Sequence, residues 1–103
     1  MHENVLKSLP IGIIKIEMNS NIIEFYNDEA LMLVRGNEKE YCDTDKLLSQ
    51  FCIEHNLTKD IKEHNIIIKN FDITLNVLSK PLLMIPQYGV CIFISKLSIP
   101  PSS

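Results

Sequence analysis

A chain of 103 residues with 13 acidic against 10 basic side chains carries a formal net charge of −3, so it lacks the basic face with which nucleic-acid binders displace counterions. An apolar share of 46% and a charged share of 22% belong to a folded globular domain, and the length suits one domain with one core. No charged start leads into the roughly 20 apolar residues of a membrane helix, and three cysteines without a C-x-x-C pair argue against a disulfide framework or a zinc site and fit a reducing cytoplasm.

In chain order, residues 1–9 place Val5, Leu6 and Leu9 on one face of a short helical flank that Pro10 stops. The domain proper is expected over residues 10–98. Gly12, Ile14, Ile16 and Met18 alternate with Lys15 and Glu17, the period of a half-buried strand. Asn19-Ser20-Asn21 supplies turn chemistry, and residues 22–26 return as a second strand with Ile23 and Phe25 on one face. Asn27 can cap a helix whose first turn holds Asp28 and Glu29, whose apolar stripe is Ala30, Leu31 and Val34, and which ends at Arg35 and Gly36.

Asp43 or Thr44 can cap a second helix in which Leu47, Leu48, Phe51 and Cys52 recur at helical spacing, ending near His55-Asn56. Thr58 is read as the cap of a further short helix with Ile61 inward. Strand patterning resumes as "NIIIKN", then "FDITLNVLS", where Phe71, Ile73, Leu75 and Val77 alternate with polar residues, then "YGVCIFISKLS". Pro86 and Gly89 punctuate the last turn, and residues 99–103 form a tail or linker. Strands at both ends with helices between them predict an α+β domain, an antiparallel sheet with its helices on one face.

That order, with "LPIGIIKIE" and "NIIEFYN", resembles the PAS domain family of sensory modules. Leu9-Pro10 and Gly12 stand where the family often has leucine, proline and glycine. Asn27 stands where it has asparagine before its first helix, and Ala30 and Gly36 resemble the residues flanking that helix. One extra residue separates Ala30 from Gly36, and "KLSIPP" replaces the family's closing Asp-x-Thr. The resemblance implies a five-stranded antiparallel sheet in the order 2-1-5-4-3 and a cleft beneath the helices. In relatives that cleft holds haem, flavin or a metabolite, or is filled by side chains. It also implies output to a kinase, cyclase or transcription effector, commonly from a homodimer.

Within that frame, Ile14, Ile16, Phe25, Leu31 and Val34 are expected on one wall of the cleft. Leu47, Leu48 and Phe51 are expected on the other, and Leu75, Val77 and Phe93 on the floor, with Asn27 and Thr74 as the few polar groups. So apolar a lining suits a small apolar or aromatic molecule, or closure by its own side chains, which is the favoured reading. No resident cofactor is expected. Haem through His55 or His64 is the weaker alternative, and a flavin adduct lacks its cysteine motif, since Cys52 is followed by Ile53. Cys91 is read as a small core residue. The carboxylates Asp28, Glu29, Asp43, Asp45, Asp60 and Glu63 sit at helix starts or on polar faces, and no nucleophile motif or glycine-rich phosphate loop occurs, so an enzyme is not expected. "VCIFIS" is apolar on both faces. It predicts an outer face of Val90, Ile92 and Ile94 that, with Val5, Leu6 and Leu9, forms a dimer interface. The module is expected to pass a signal to an effector without touching nucleic acid or membrane. A ligand-binding sensor is the alternative.

Overall fold

The computed structural model describes residues 11–36, 43–59, 62–83 and 88–97. Expectations for Val5, Leu6, Leu9, Cys42, Asp60, Ile61, Pro86 and the tail lie outside these residues. The described elements run β1 (Ile11–Glu17), β2 (Ile23–Tyr26), α1 (Asp28–Arg35), α2 (Thr44–Glu54), β3 (His64–Asn70), β4 (Ile73–Leu83) and β5 (Tyr88–Lys96). The strands form one antiparallel five-stranded sheet in the order β2-β1-β5-β4-β3, so the first and last strands pair inside it, β1 against β5. This is the α+β architecture that the patterning predicts and the strand order that the resemblance implies.

The first strand turns Gly12, Ile14 and Ile16 inward, as its alternation requires. Its partner departs from simple alternation. Lys15 pairs with Phe25 but Ile16 pairs with Ile23, leaving Glu24 as an extra residue in β2, a β-bulge. The bulge turns both Ile23 and Tyr26 toward the core and sends Phe25, 54% exposed, to the opposite face. Glu24 meets Lys15 Nζ at 3.5 Å, a surface pair worth little in water.

Each helix starts where the sequence places its cap. Asn27 Oδ1 accepts from Ala30 N, and Asp43 Oδ1 accepts from Lys46 N. The buried stripe of α1 is Ala30, Leu33 and Val34, with Leu31 only half-buried. Helix α2 buries Leu48, Phe51 and Cys52, while Leu47 is half-buried. It ends in a capped turn with Asn56 at φ 58°: Asn56 N donates to Ile53 O, and Leu57 N reaches Cys52 O at 2.8 Å. That cap drives Leu57 fully into the core. Residues 55–58 are therefore a turn, and the Thr58 hydroxyl donates to Asn21 Oδ1, while the short helix expected after Thr58 runs through residues 60–61, outside the described residues.

Three expectations at the other end change in detail. Phe71 is not in a strand; it opens the two-residue turn between β3 and β4, and the inward series of β4 begins at Ile73. Gly89 lies inside β5, paired with Leu82 and Glu17, rather than in a turn. Finally, Val90, Ile92 and Ile94 are fully buried beneath the helices. Pairing decides this, because Ile92 lies opposite Ile14, and Ile94 opposite Val77, on the core face.

Candidate functional site

The space beneath the helices is built from strand residues that alternate inward and from one face of each helix. Its sheet side is Ile14, Ile16, Leu75, Val77, Ile92 and Ile94, and Leu48, Cys52 and Leu57 close it from above; all nine are fully buried. Of the residues expected to line a cleft, Ile14, Ile16, Val34, Leu48, Phe51, Leu75 and Val77 are brought together in this core. Phe25, Phe93 and Thr74 are not. Phe25 and Phe93 follow Lys15 and Ile13 on the outer face, and Thr74 lies out of register with the inward Ile73 and Leu75. Leu31 and Leu47 stay half-buried at the margin of the core.

Asn27 also has a different task from orienting a guest. Its Oδ1 accepts from Ile13 N at 2.9 Å as well as from Ala30 N at 3.0 Å, and its Nδ2 donates to Ile11 O at 3.0 Å. One amide thus fastens β1 to the start of α1. The contact is close because Gly12 has no side chain: a Cβ there would lie 2.6 Å from Ala30 Cα.

The interior holds one buried polar side chain among the described residues, Ser79. Its Oγ donates to Leu57 O at 2.9 Å, so the hydroxyl is satisfied and the turn after α2 is held to β4. Neither Ser79 nor Leu57 was singled out from the sequence. The available signal was Asn56 followed by an apolar residue, the pattern of a helix end with an αL cap.

The remaining candidates resolve by position. His55 ends α2 with its ring 4.8 Å from that of Phe51, tilted by 59°. His64 opens β3 with Nδ1 3.2 Å from Lys62 O. Cys52 is the core cysteine, its thiol pushed up to about 12 by burial and so uncharged at neutral pH. Cys91 is half-buried on the outer face, opposite both Lys15 and Lys80, and is not a core residue. Among the described residues no group of His, Cys, Asp and Glu side chains could hold a metal ion, and no helix is long and apolar enough to cross a membrane.

The outer sheet face is apolar, but through other residues than Val90, Ile92 and Ile94. Ile13, Phe93 and Leu78 form one cross-strand row, all half-buried. Around it Ile11 is 39%, Phe25 54% and Ile67 57% exposed. Surface clefts among the described residues lie elsewhere. One of about 320 Å³ runs along the free edge of β2 toward Asp45, and one of about 150 Å³ lies between the helices and the β3–β4 turn.

Set beside solved structures, the chain matches one described as the sensor region of a sensor histidine kinase, with a TM-score of 0.54 and 14% identity. That match covers 82% of this chain but 38% of the other, so the chain spans well under half of that protein's length. A second match is a PAS domain from a two-component sensor histidine kinase, with a TM-score of 0.51, 10% identity and 93% of each chain covered. No model of a protein family and no curated protein matches the sequence. At these identities the likeness is one of fold, and the fold is PAS-like.

Proposed function

We propose that this PAS-like domain is a non-enzymatic sensory module that self-associates through the outer face of its sheet and passes a signal to an effector such as a kinase. The observation that carries the reading is the row Ile13–Phe93–Leu78, bordered by Ile11, Phe25 and Ile67, on a sheet face that no described element covers. An apolar face of this kind marks an interaction surface, and a symmetric pair of identical faces is the commonest way to bury one. Val5, Leu6 and Leu9 precede β1 directly and would extend the same interface. The likeness to the sensor region of a histidine kinase supports a kinase as the effector.

The non-enzymatic part rests on the fate of the chemically capable groups. Asp43 and Asp28 serve the starts of helices, and the Cys52 thiol is buried and protonated. The core beneath the helices supports the absence of a resident cofactor, since fully buried Ile14, Ile16, Leu48, Leu75 and Ile92 occupy the place where a guest would lie. A cytoplasmic location belongs to the same proposal, and unpaired cysteines favour it.

Sedimentation of the purified chain at micromolar concentration, together with its visible absorption spectrum, tests both parts. A colourless dimer that Phe93→Lys converts to a folded monomer is the expected result. A wild-type monomer would sink the interface, and a stoichiometric haem or flavin band would instead establish the ligand-sensor reading.

A further inference from the structure

A cleft of about 150 Å³ lies where the final turns of α1 and α2 approach the β3–β4 turn, outside the helix–sheet interior. Val34, Leu47 and Phe51 of the helices and Phe71 of the β3–β4 turn line it with apolar surface, and Asn70 and the exposed Gln50 and Glu54 supply its polar groups. A cavity of about this size accommodates a benzene ring.

The Phe71 wall is held in place at a cost. Its φ is +59°, a region that asparagine or glycine adopts readily and a phenylalanine does not. The turn itself does not call for an aromatic residue, and the ring remains 55% exposed, so burial does not explain it either. The neighbouring contacts nevertheless fix it. Asn70 Nδ2 donates to Leu33 O at 2.8 Å and to Val34 O at 3.0 Å, tying the turn to the end of α1. The Phe71 ring lies against Gly36, where a Cβ would fall 2.5 Å from its Cδ2. The Phe71 wall is therefore preorganised, which lowers the entropy lost on binding.

Charge selects the guest. Glu54 is the last residue of α2, and no basic residue occupies that helix's last turn. Its carboxylate thus adds to the negative end of the helix dipole instead of offsetting it, a combination that favours a cation. Arg35 ends α1 but does not line the cleft, and the imidazole ring of His55 lies against Phe51.

We propose that this cleft binds a small organic ammonium ion with an aryl or short alkyl body, the body between Phe51 and Phe71 and the ammonium against Glu54. The site is separate from the sheet-face dimer and shares only Val34 and Phe51 with the core, so it stands or falls independently of the function proposed above.

Titration of the isotopically labelled chain with benzylammonium, benzyl alcohol and benzoate, followed by NMR, tests it. Benzylammonium should shift Phe51, Glu54 and Phe71 resonances saturably and more weakly at high salt, with benzyl alcohol binding less tightly and benzoate not at all. Glu54→Gln should lower the affinity by about two- to fivefold, the range of an exposed ion pair. Phe71→Asn should abolish binding while keeping the fold, because asparagine tolerates the positive φ. Benzoate or benzyl alcohol binding as well as benzylammonium, shifts elsewhere, an unaffected Phe71→Asn protein, or no saturation by about 10 mM would each overturn the proposal.

Discussion

A methyl group on Gly12 would lie 2.6 Å from the Cα of Ala30 and 2.8 Å from its backbone nitrogen, so the first strand and the first helix touch with no room between them. Both residues are small for one reason. The helix start must come close enough to β1 for Asn27 to reach Ile11 and Ile13.

Gly12→Ala therefore overfills this contact, and the blocking atoms are backbone, which cannot rotate away. A loss of about 1–3 kcal/mol is expected, the usual cost of overpacking. Urea unfolding of the variant checks it, and an unchanged midpoint would show that α1 can lift from the strand freely.

Asn27→Ala removes an N-cap and two links to β1 in one step. The cap alone accounts for about 1 kcal/mol, and the Ile13 N–H left without its acceptor adds about 1–3 kcal/mol more. Asn27→Asp should recover the two bonds to Oδ1 but not the donation to Ile11 O, placing it between wild type and alanine in thermal unfolding.

These contacts explain how much of the molecule was legible. Asn27 and Gly36 could be read directly because caps and helix exits have residue-specific chemistry. The strands could be read because alternation reports burial on one face. In β5 both faces are apolar, so alternation carried no sign; only pairing with Ile14 and Val77 shows that Ile92 and Ile94 point inward. The bulge at Glu24 was equally invisible, since one inserted residue changes which of Ile23 and Phe25 faces the core without changing composition. The Glu54–Phe71 cleft brings together residues far apart in sequence, and no local pattern marks it.

The orientation of β5 separates two substitutions of adjacent residues. Phe93→Lys adds charge to the outer face and should leave the thermal midpoint nearly unchanged while weakening self-association. Ile92→Lys places an ammonium in the core and should destabilise the chain by more than about 3 kcal/mol, or prevent folding. Circular dichroism melts beside sedimentation measure both. Equal tolerance of the two would contradict the pairing of Ile92 with Ile14.

Cys52 gives the fold an alkaline limit. Burial raises its thiol from 9.0 to about 12, so the folded state favours the protonated form. Below about pH 9 both folded and unfolded chains keep the proton, and the thiol's contribution is fully present. Between pH 9 and about 12 the unfolded chain releases its proton first, and stability falls by up to about 1.4 kcal/mol per pH unit until the folded thiol also ionises. Cys52→Ala should remove this slope, leaving a flatter stability profile above pH 9 at the cost of a small cavity. The same burial predicts that iodoacetamide at pH 8 leaves Cys52 unmodified in the native protein and alkylates it once the chain is unfolded in urea. Rapid native alkylation of Cys52, read by peptide mass spectrometry, would show that the space between α2 and the sheet opens to solvent.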